Sequence, residues 1–319
     1  MGEINWGEIL PRRTILEELS LKRNGDLSNE LGEKELVELI KDIKYSVEKN
    51  VGSDAIVNGI FVEEEHIEVV IVCALQEERD QVLKILGTGT VTSYRDMQKE
   101  YGFVYQKVSI QDIKIAVVTQ TGMGMAMSSS LTTRAILAFN PKLVIMIGIC
   151  AGRRDKVNLG DILFADQVYD YTAGKISKGE KFVRPRSISL DDEIKQILLS
   201  PEMNIQDING LIRAKWMENS IPVSKSEVYI KAMGTGTSVI DDENIIEDAK
   251  KNQDELYGID MEAYGVALAS DVLHTPWLIV KGVQDFADGN KNTMEVNVRE
   301  YAAFVSVVVL EKIIPIYLR

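Results

Sequence analysis

The sequence predicts an α/β fold with a mostly parallel sheet. From Ile67 onward, short runs of β-branched residues alternate with amphipathic segments at helical spacing, and this alternation is typical of βαβ units. With 319 residues, of which 45% are hydrophobic, the chain is long enough to bury the core that such a sheet requires.

Seven segments are predicted strands, and helical patterns follow several of them. The predicted strands are 68–75, 103–110, 113–120, 143–150, 160–169, 228–235 and 276–285. The helical patterns are "QEERDQVLKIL", "AMSSSLTTRAILAF", "NIIEDAKKNQ", "EAYGVALASDVL" and "VREYAAFVSVVVLEKII". Ligands of open α/β sheets bind outside the carboxyl ends of the strands, so we expect the functional residues there.

The first 66 residues differ from the rest of the chain in composition and pattern. They are charged, and "LGEKELVELIKDIKYSVEKN" places leucine and isoleucine at helical spacing. The stretch "KNVGSDAIVNG" then has the composition of a linker or of a loose pair of strands. We therefore predict a helical N-terminal extension with a linker over 1–66 and a main domain over 67–319, and the extension is a candidate for binding a protein partner.

Composition excludes several classes of partner. The net charge of -13 disfavours nucleic acid and anionic membranes, because both repel an acidic surface. The only cysteines, Cys73 and Cys150, lie in apolar runs, which favours free thiols in a reducing compartment. The N-terminus lacks the pattern of a signal peptide, "AAFVSVVVL" is too short to span a bilayer, and two histidines are too few for a His-rich metal site. We expect a soluble cytoplasmic protein.

Polar residues stand at the ends of four predicted strands. They are Glu78, the segment Gly148–Gly152, Asp260 with Glu262, and Asp285. A single carboxylate at such a place is more often a helix cap or a turn residue than a catalyst. Because all four mark the same edge of the sheet, we expect them to converge on one pocket.

The turn "TGMGMAMSSS" at 121–130 has two interpretations. Gly122 and Gly124 precede a predicted helix, so their N–H groups can cradle an anion. The spacing is not the dinucleotide fingerprint, because Met127 stands where a third glycine is required. A tight strand-to-helix turn is the alternative.

Residues 67 to about 313 resemble the superfamily of purine nucleoside phosphorylases and methylthioadenosine/S-adenosylhomocysteine nucleosidases. The resemblance rests on "VCALQEE", "IGICAGRRDKVNLGDILFADQV", "IDMEAYGVA" and "VKGVQDFAD", in that order. It implies a three-layer α/β/α fold around a mixed, mostly parallel sheet. It also implies an enzyme that assembles as a homo-oligomer and uses neither cofactor nor metal.

The resemblance implies roles for individual residues. Asp285 faces N7 and the 6-amino group of adenine, and Glu78 positions the attacking water. Met261 packs on the ribose, while Glu262 accepts hydrogen bonds from its hydroxyls. The residues assigned to the base are Cys150, Ala151, Val239, Ile240, Asp260 and Asp285.

The chemistry of a ribose–purine bond agrees with these roles. Its cleavage develops a cationic sugar and an anionic base, so a catalyst needs an acid at the base, anions near the sugar and an activated nucleophile. Asp285 has to act protonated, and we expect burial and neighbouring carboxylates to raise its pKa.

Several positions depart from the relatives. The phosphorylases hold phosphate with two arginines, and the corresponding places here are the segment "ALQEER" and Met146, which favours water over phosphate as the nucleophile. Ile149 and Gln284 replace serines of the nucleosidases, Val239 replaces a stacking phenylalanine, and Lys281 replaces an arginine.

Basic residues gather near the predicted site. Arg153 and Arg154 follow Gly152, and the segment 171–187 adds Lys175, Lys178, Lys181, Arg184 and Arg186. Such clusters bind anions, so we predict a substrate with 5′-phosphates, such as AMP or ATP, contacted by Arg153 or Arg154 and by Lys175. A solvated basic loop is the alternative.

The sequence thus predicts a hydrolase that releases adenine from an adenine nucleoside or nucleotide, acting as a nucleotide-depleting effector. The sequence also allows three alternatives. They are a methylthioadenosine/S-adenosylhomocysteine nucleosidase, a phosphorolytic purine nucleoside phosphorylase and a non-catalytic purine sensor.

Overall fold

The structure, a computed structural model, describes residues 66–87, 90–95, 102–177, 180–184, 186–203, 207–216, 221–238, 249, 253–287 and 296–319. The predicted helical extension lies outside these residues, so the boundary near residue 66 stays a prediction.

The described strands are β1 (Val69–Cys73), β2 (Thr90–Arg95), β3 (Gly102–Ile110), β4 (Ile113–Thr119), β5 (Leu143–Gly152), β6 (Ile162–Asp170), β7 (Gly174–Ser177), β8 (Glu180–Val183), β9 (Ser187–Ser189), β10 (Val228–Thr235), β11 (Leu256–Asp260) and β12 (Trp277–Asp285). The helices are α1 (Gln76–Leu86), α2 (Met125–Phe139), α3 (Asp192–Leu199), α4 (Ile208–Lys215), α5 (Ala263–Val272), α6 (Val296–Val308) and α7 (Leu310–Tyr317).

Most of the predicted elements are present. All seven predicted strands occur within two residues of their predicted bounds, whereas β2, β7, β8, β9 and β11 were not predicted. The single C-terminal helical pattern forms two helices, α6 and α7. The predicted helix "NIIEDAKKNQ" lies almost wholly outside the described residues.

In the described part of the chain, ten strands form one mixed sheet with the order β11-β10-β6-β12-β5-β1-β4-β3-β2, with β9 paired to β6. The central pairs β12–β5, β5–β1 and β1–β4 are parallel. The pairs β2–β3 and β3–β4 are antiparallel, because short connections join them. Beyond its pairing with β12, the end of β5 also pairs antiparallel with β11, at Ala151 and Gly152.

Two helical layers pack on the sheet, α1 with α6 and α2 with α5. The strands between them are apolar on both faces, as buried parallel strands must be, and all five residues of β1 are buried. Each fully buried aliphatic side chain contributes about 1.5–3 kcal/mol. The predicted three-layer α/β fold around a mixed sheet is confirmed. The prediction that the sheet is mostly parallel is wrong, because its described strands make five parallel and five antiparallel pairings.

The topology brings the carboxyl ends of β1, β5, β11 and β12 to one edge of the sheet. Within the described residues, no helix combines the length and apolar character needed to cross a bilayer.

Candidate active site

Glu78 lies in the first turn of α1 and is only 1% exposed. Its Oε2 accepts hydrogen bonds from the N–H groups of Ala74 and Leu75, at 2.8 and 2.9 Å. Its Oε1 accepts one from the N–H of Ile149 at 3.1 Å. The carboxylate therefore joins the end of β1 to the end of β5.

Gly148 allows this close approach. Its φ is 145°, and a Cβ atom there would lie 2.1 Å from Oε1 of Glu78. Both the backbone conformation and the space favour glycine at this position. The glycine in "IGIC" is thus explained by the carboxylate it faces.

Asp260 ends β11 and is held by several donors. Its Oδ1 accepts from the Thr235 hydroxyl at 2.9 Å, and its Oδ2 accepts from the N–H of Ala263 at 3.0 Å. The second bond satisfies an N–H at the start of α5, so Asp260 caps that helix. The Thr235 hydroxyl in turn accepts from the N–H of Tyr264.

Lys281 is a buried cation in the middle of β12, with 0% exposure. Its Nζ lies 3.1 Å from Oδ2 of Asp260. Burial by itself lowers the pKa of the ammonium, but the nearby charges of Asp260, Glu78 and Glu262 outweigh burial and raise the pKa above its ordinary value. Lys281 is therefore charged and serves as the counterion of the carboxylates.

Glu262 precedes α5 and contacts the turn before α2. Its Oε1 accepts a hydrogen bond from the N–H of Gly124 at 2.8 Å, and its carbonyl oxygen accepts from the Ser128 hydroxyl. Its side chain does not cap α5, a role that Asp260 takes instead. Met261, beside it, is partly buried.

The junction of α2 and α5 is closely packed at this point. A Cβ atom on Gly265 would lie 2.3 Å from the carbonyl oxygen of Met125. Because the two helices touch here, Glu262 and the turn that contains Gly124 are fixed relative to each other.

Asp285 ends β12, opposite Ala151 in the strand register. Its Oδ1 accepts a hydrogen bond from the N–H of Ala287, and its Oδ2 accepts one from the Gln284 amide, both at 2.9 Å. Cys150 is buried beside these groups, and burial raises the pKa of its thiol, with Lys281 opposing and Asp260 and Asp285 adding to the rise. Asp285 therefore belongs to the same cluster.

Burial raises the pKa of two of the carboxylic acids. For Glu78, desolvation is the main cause, and Lys281 and three backbone N–H groups oppose it. For Glu262, desolvation acts together with the neighbouring charge of Asp260, again opposed by Lys281. A buried cluster with more carboxylates than cations can stabilise a positive charge and can hold a proton.

The three predicted phosphate contacts have different environments. Arg153 is buried, and its guanidinium donates to the carboxylate of Asp155 and to the carbonyl oxygens of Asp254 and Leu256. All three of its nitrogen atoms have acceptors, so it is a fixed part of the fold.

The other two are more accessible. Arg154 is exposed and lies over the ring of Phe286 at 4.2 Å. Lys175 is exposed on β7. The predicted base contacts Val239 and Ile240 lie outside the described residues.

Sequence reasoning gave Lys281 no role beyond the replacement of an arginine. A signal was nevertheless present, because a lysine inside the apolar run "WLIVKGV" has to be paired if it is buried. The contact between Gly124 and Glu262 joins residues 138 positions apart, and no local sequence pattern predicts it.

Comparisons with known proteins identify related chains. An ATP nucleosidase of Escherichia coli is 27% identical over 250 residues, which are 74% of this chain and 49% of that protein. A 5′-methylthioadenosine/S-adenosylhomocysteine nucleosidase of Bacillus velezensis is 25% identical over 175 residues, which are 54% of this chain and 68% of that protein. The chain spans about half to three fifths of the length of the longer curated relatives it matches.

The fold is shared with solved structures. In one of them, the 5′-methylthioadenosine/S-adenosylhomocysteine nucleosidase of Neisseria meningitidis in complex with methylthio-immucillin-A, the match has a TM-score of 0.58 and 17% identity, and it covers 78% of this chain and 98% of that chain. The model of the phosphorylase superfamily matches residues 68–313. Since this match covers well over half of the chain, the protein belongs to the phosphorylase superfamily.

Proposed function

We propose that the protein is a nucleosidase that hydrolyses the N-glycosidic bond of an adenine nucleoside or nucleotide and releases adenine. The observation that carries the proposal is the buried cluster of Glu78, Asp260 and Glu262 around Lys281, with Asp285 buried at the end of β12 beside Cys150. Uncompensated buried carboxylates are costly, so a cluster of this kind indicates a function that needs them.

Asp285 acts at the base in this proposal. The leaving purine becomes anionic as the bond breaks, and an acid that protonates it lowers the barrier. The carboxyl group is buried at the end of β12, and hydrogen bonds from Ala287 and Gln284 fix its orientation. Burial of the carboxyl group favours its protonated form, whereas the two donors favour the carboxylate, so the role of general acid also requires a proton shared with the purine.

Glu262 and Met261 act at the sugar. The oxocarbenium-like transition state carries positive charge, which a carboxylate within a low-dielectric site stabilises. The N–H of Gly124 occupies one position on Oε1 of Glu262, so the remaining acceptor positions are available for ribose hydroxyls. Met261 presents an apolar side chain next to them.

Glu78 orients the attacking water. A carboxylate has about four acceptor positions, and the N–H groups of Ala74, Leu75 and Ile149 fill three of those on Glu78. One acceptor position on Oε1 remains for a hydrogen bond from the attacking water. Because three backbone groups fix the carboxylate, the water is held at a defined place.

The relatives support an adenine nucleotide as the substrate, since an ATP nucleosidase matches the larger share of this chain. A second candidate is a methylthioadenosine/S-adenosylhomocysteine nucleosidase, which the Bacillus velezensis match favours. Of the sequence-predicted phosphate contacts, Arg154 and Lys175 remain candidates. Arg153 is not a phosphate contact in this proposal, because its guanidinium already donates to acceptors within the protein.

The test is chromatography of the full chain incubated with adenosine, methylthioadenosine, S-adenosylhomocysteine, AMP and ATP, each with and without phosphate. We expect adenine without phosphate, lost in Asp285→Asn and retained in the matched control Asp271→Asn on the exposed surface of α5. A requirement for phosphate with formation of ribose 1-phosphate would establish phosphorolysis instead. Purine binding without turnover would establish a sensor.

Two further expectations belong to the same proposal. We propose that the protein acts in the cytoplasm and that it is a homo-oligomer. Sedimentation equilibrium of the full chain tests the oligomeric state. We also propose that residues 1–66 recruit a protein partner that controls nucleotide depletion. Deletion of that segment should then abolish control while adenine release continues.

A further inference from the structure

A groove of about 540 Å³ opens beside the carboxylate cluster. It is formed by the carboxyl ends of β1 and β4, the first turn of α1, Val104 and Gln106 of β3, and the turn Thr121–Met123 before α2. Its volume falls within the roughly 300–1,000 Å³ of small-molecule sites. Its lining does not include Glu78, Glu262 or Asp285.

The groove contains buried polar atoms without partners. Gln120 is 7% exposed, and neither Nε2 nor Oε1 of its amide has a hydrogen-bond partner in the described part of the chain. The same holds for the hydroxyl oxygen of Thr119. A buried polar group without a partner costs about 1–3 kcal/mol, and native proteins keep few of them. These two side chains therefore indicate a ligand.

The groove is rich in donors. The N–H groups of Gly122 and Met123 have no acceptor among the described residues, and they precede the N-terminus of α2, a helix of 15 residues. Such a helix end favours negative charge. No carboxylate is present among the described residues that line the groove. These features favour an anion over a cationic or zwitterionic group.

Arg79 supplies a positive charge at the rim. Its guanidinium donates to the carboxylate of Asp80 at 2.7 Å, and that carboxylate is 60% exposed. An exposed pair of this kind contributes only about 0–1 kcal/mol. The guanidinium can therefore exchange this partner for a more highly charged one.

The position of the groove fits one end of the proposed substrate. Gly124, whose N–H donates to Glu262, directly follows the turn that lines the groove. In the proposed function the base lies at Asp285 and the sugar at Glu262. The groove therefore adjoins the position of the sugar, and its lining includes neither Asp285 nor the hydrogen-bond partners of Asp285, Gln284 and Ala287. This is the arrangement expected of a site for the 5′ substituent. Arg154 packs on Phe286, next to Asp285, and so lies at the base end.

We propose that this groove binds the 5′-phosphate chain of an adenine nucleotide through Thr119, Gln120 and Arg79. The inference rests on the proposed function, because it uses the assignment of base and sugar. It also locates the phosphates away from the basic segment that the sequence indicated.

The experiment compares kcat/KM for ATP with kcat/KM for adenosine in the full chain. In Gln120→Leu and Arg79→Gln the ratio of the two values should fall at least tenfold. The nearly isosteric Thr119→Val should lower it about threefold. The matched control is Gln196→Leu, an exposed glutamine on α3, and it should leave the ratio unchanged. If Gln120→Leu does not fold, the ratio measured for Arg79→Gln still tests the proposal.

Several results would overturn the proposal. One is an unchanged ratio in all three groove variants. A second is a ratio that falls only in Arg154→Ala or Lys175→Ala, which would place the phosphates on the basic segment. A third is a selective loss of S-adenosylhomocysteine turnover in Gln120→Leu, which would assign the groove to an amino-acid tail.

Calorimetry with inorganic triphosphate separates this inference from the proposed function. We expect binding to the natural chain and at least tenfold weaker binding to Gln120→Leu. If no substrate releases adenine but triphosphate binds in this way, the proposed function fails and the anion site stands. If adenine is released but triphosphate does not bind, the groove proposal fails alone.

Discussion

Replacement of Lys281 by methionine isolates the electrostatic role of the buried cation. Methionine fills a similar volume without a charge, so the change removes the counterion of Asp260 and leaves the apolar packing of β12 largely intact. We expect the variant to be less stable, and we expect the acid limb of its pH–rate profile to move to higher pH.

The structure gives the magnitude. With Nζ and Oδ2 at 3.1 Å, Coulomb's law at an effective dielectric constant of about 20 gives about 5 kcal/mol for the pair, and loss of one partner of a buried pair costs about 3–5 kcal/mol. Asp260 keeps the Thr235 hydroxyl and the Ala263 N–H as donors. We therefore expect a loss near the lower limit, about 3 kcal/mol.

The direction of the pH effect follows from the same contacts. Lys281 lowers the pKa of Glu78 against the effect of burial, so its removal lets that pKa rise. If Glu78 acts as a carboxylate, the pH at which activity is half lost on acidification rises with it. Lys281→Arg keeps the charge and should keep the natural profile.

Urea denaturation and the pH dependence of kcat/KM are the measurements. A double-mutant cycle with Asp260→Asn should give a coupling energy of about 1–3 kcal/mol, because either single change already removes the interaction between the two charges. Additive effects, or an acid limb of Lys281→Met that coincides with the natural one, would refute the assignment of Lys281 as the counterion of this cluster.

Three other predictions concern the supporting structure. Gly148→Ala should lower kcat about 100-fold, because its Cβ displaces the Glu78 carboxylate; steady-state kinetics near the natural value would contradict this. Arg153→Ala should lose about 2–3 kcal/mol in chemical denaturation, because it removes hydrogen bonds to Asp155 and to two carbonyl oxygens, and a loss below 1 kcal/mol would argue against a structural role. Because the pKa of Glu78 is raised in the folded state, protonation of this side chain stabilises the fold at pH values below its ordinary pKa of 4.5. This contribution is lost as the pH rises through the pKa of the folded state. The stability of Glu78→Gln relative to the natural chain should therefore increase from pH 4 to pH 8, and a constant difference would contradict the raised pKa.

The strands of the core were predictable because each is a short, β-branched run that stands out from its surroundings. β1, β5 and β12 follow this pattern and were predicted within two residues. β2 and β7 to β9 were not, because they are polar strands: β2 is itself an edge strand, β7 and β8 pair with each other, and the three-residue β9 pairs with β6. Strand formation there depends on pairing with a neighbouring strand, which the propensity of a single segment does not report.

The position of the site at one edge of the sheet was predictable from the sequence. Glu78, Glu262 and Asp285 follow from their places after strands, and the structure brings them together. The contacts that orient them were not predictable from the residues alone. The bond from Gly124 to Glu262 and the approach of Gly148 to Glu78 depend on how α1, α2 and α5 pack, which is a property of the tertiary fold.

A carboxylate at a strand end invites two interpretations, a helix cap or a functional group, and here the same side chain does both. Asp260 caps α5 through Ala263 and also pairs with Lys281. Capping needs only an acceptor, which asparagine or serine also provides, whereas a counterion must carry charge. The distinguishing feature is therefore the cation, and Lys281 within an apolar strand is the one residue of the cluster that no cap or turn can account for. Its burial indicates that the carboxylates around it are retained for their charge.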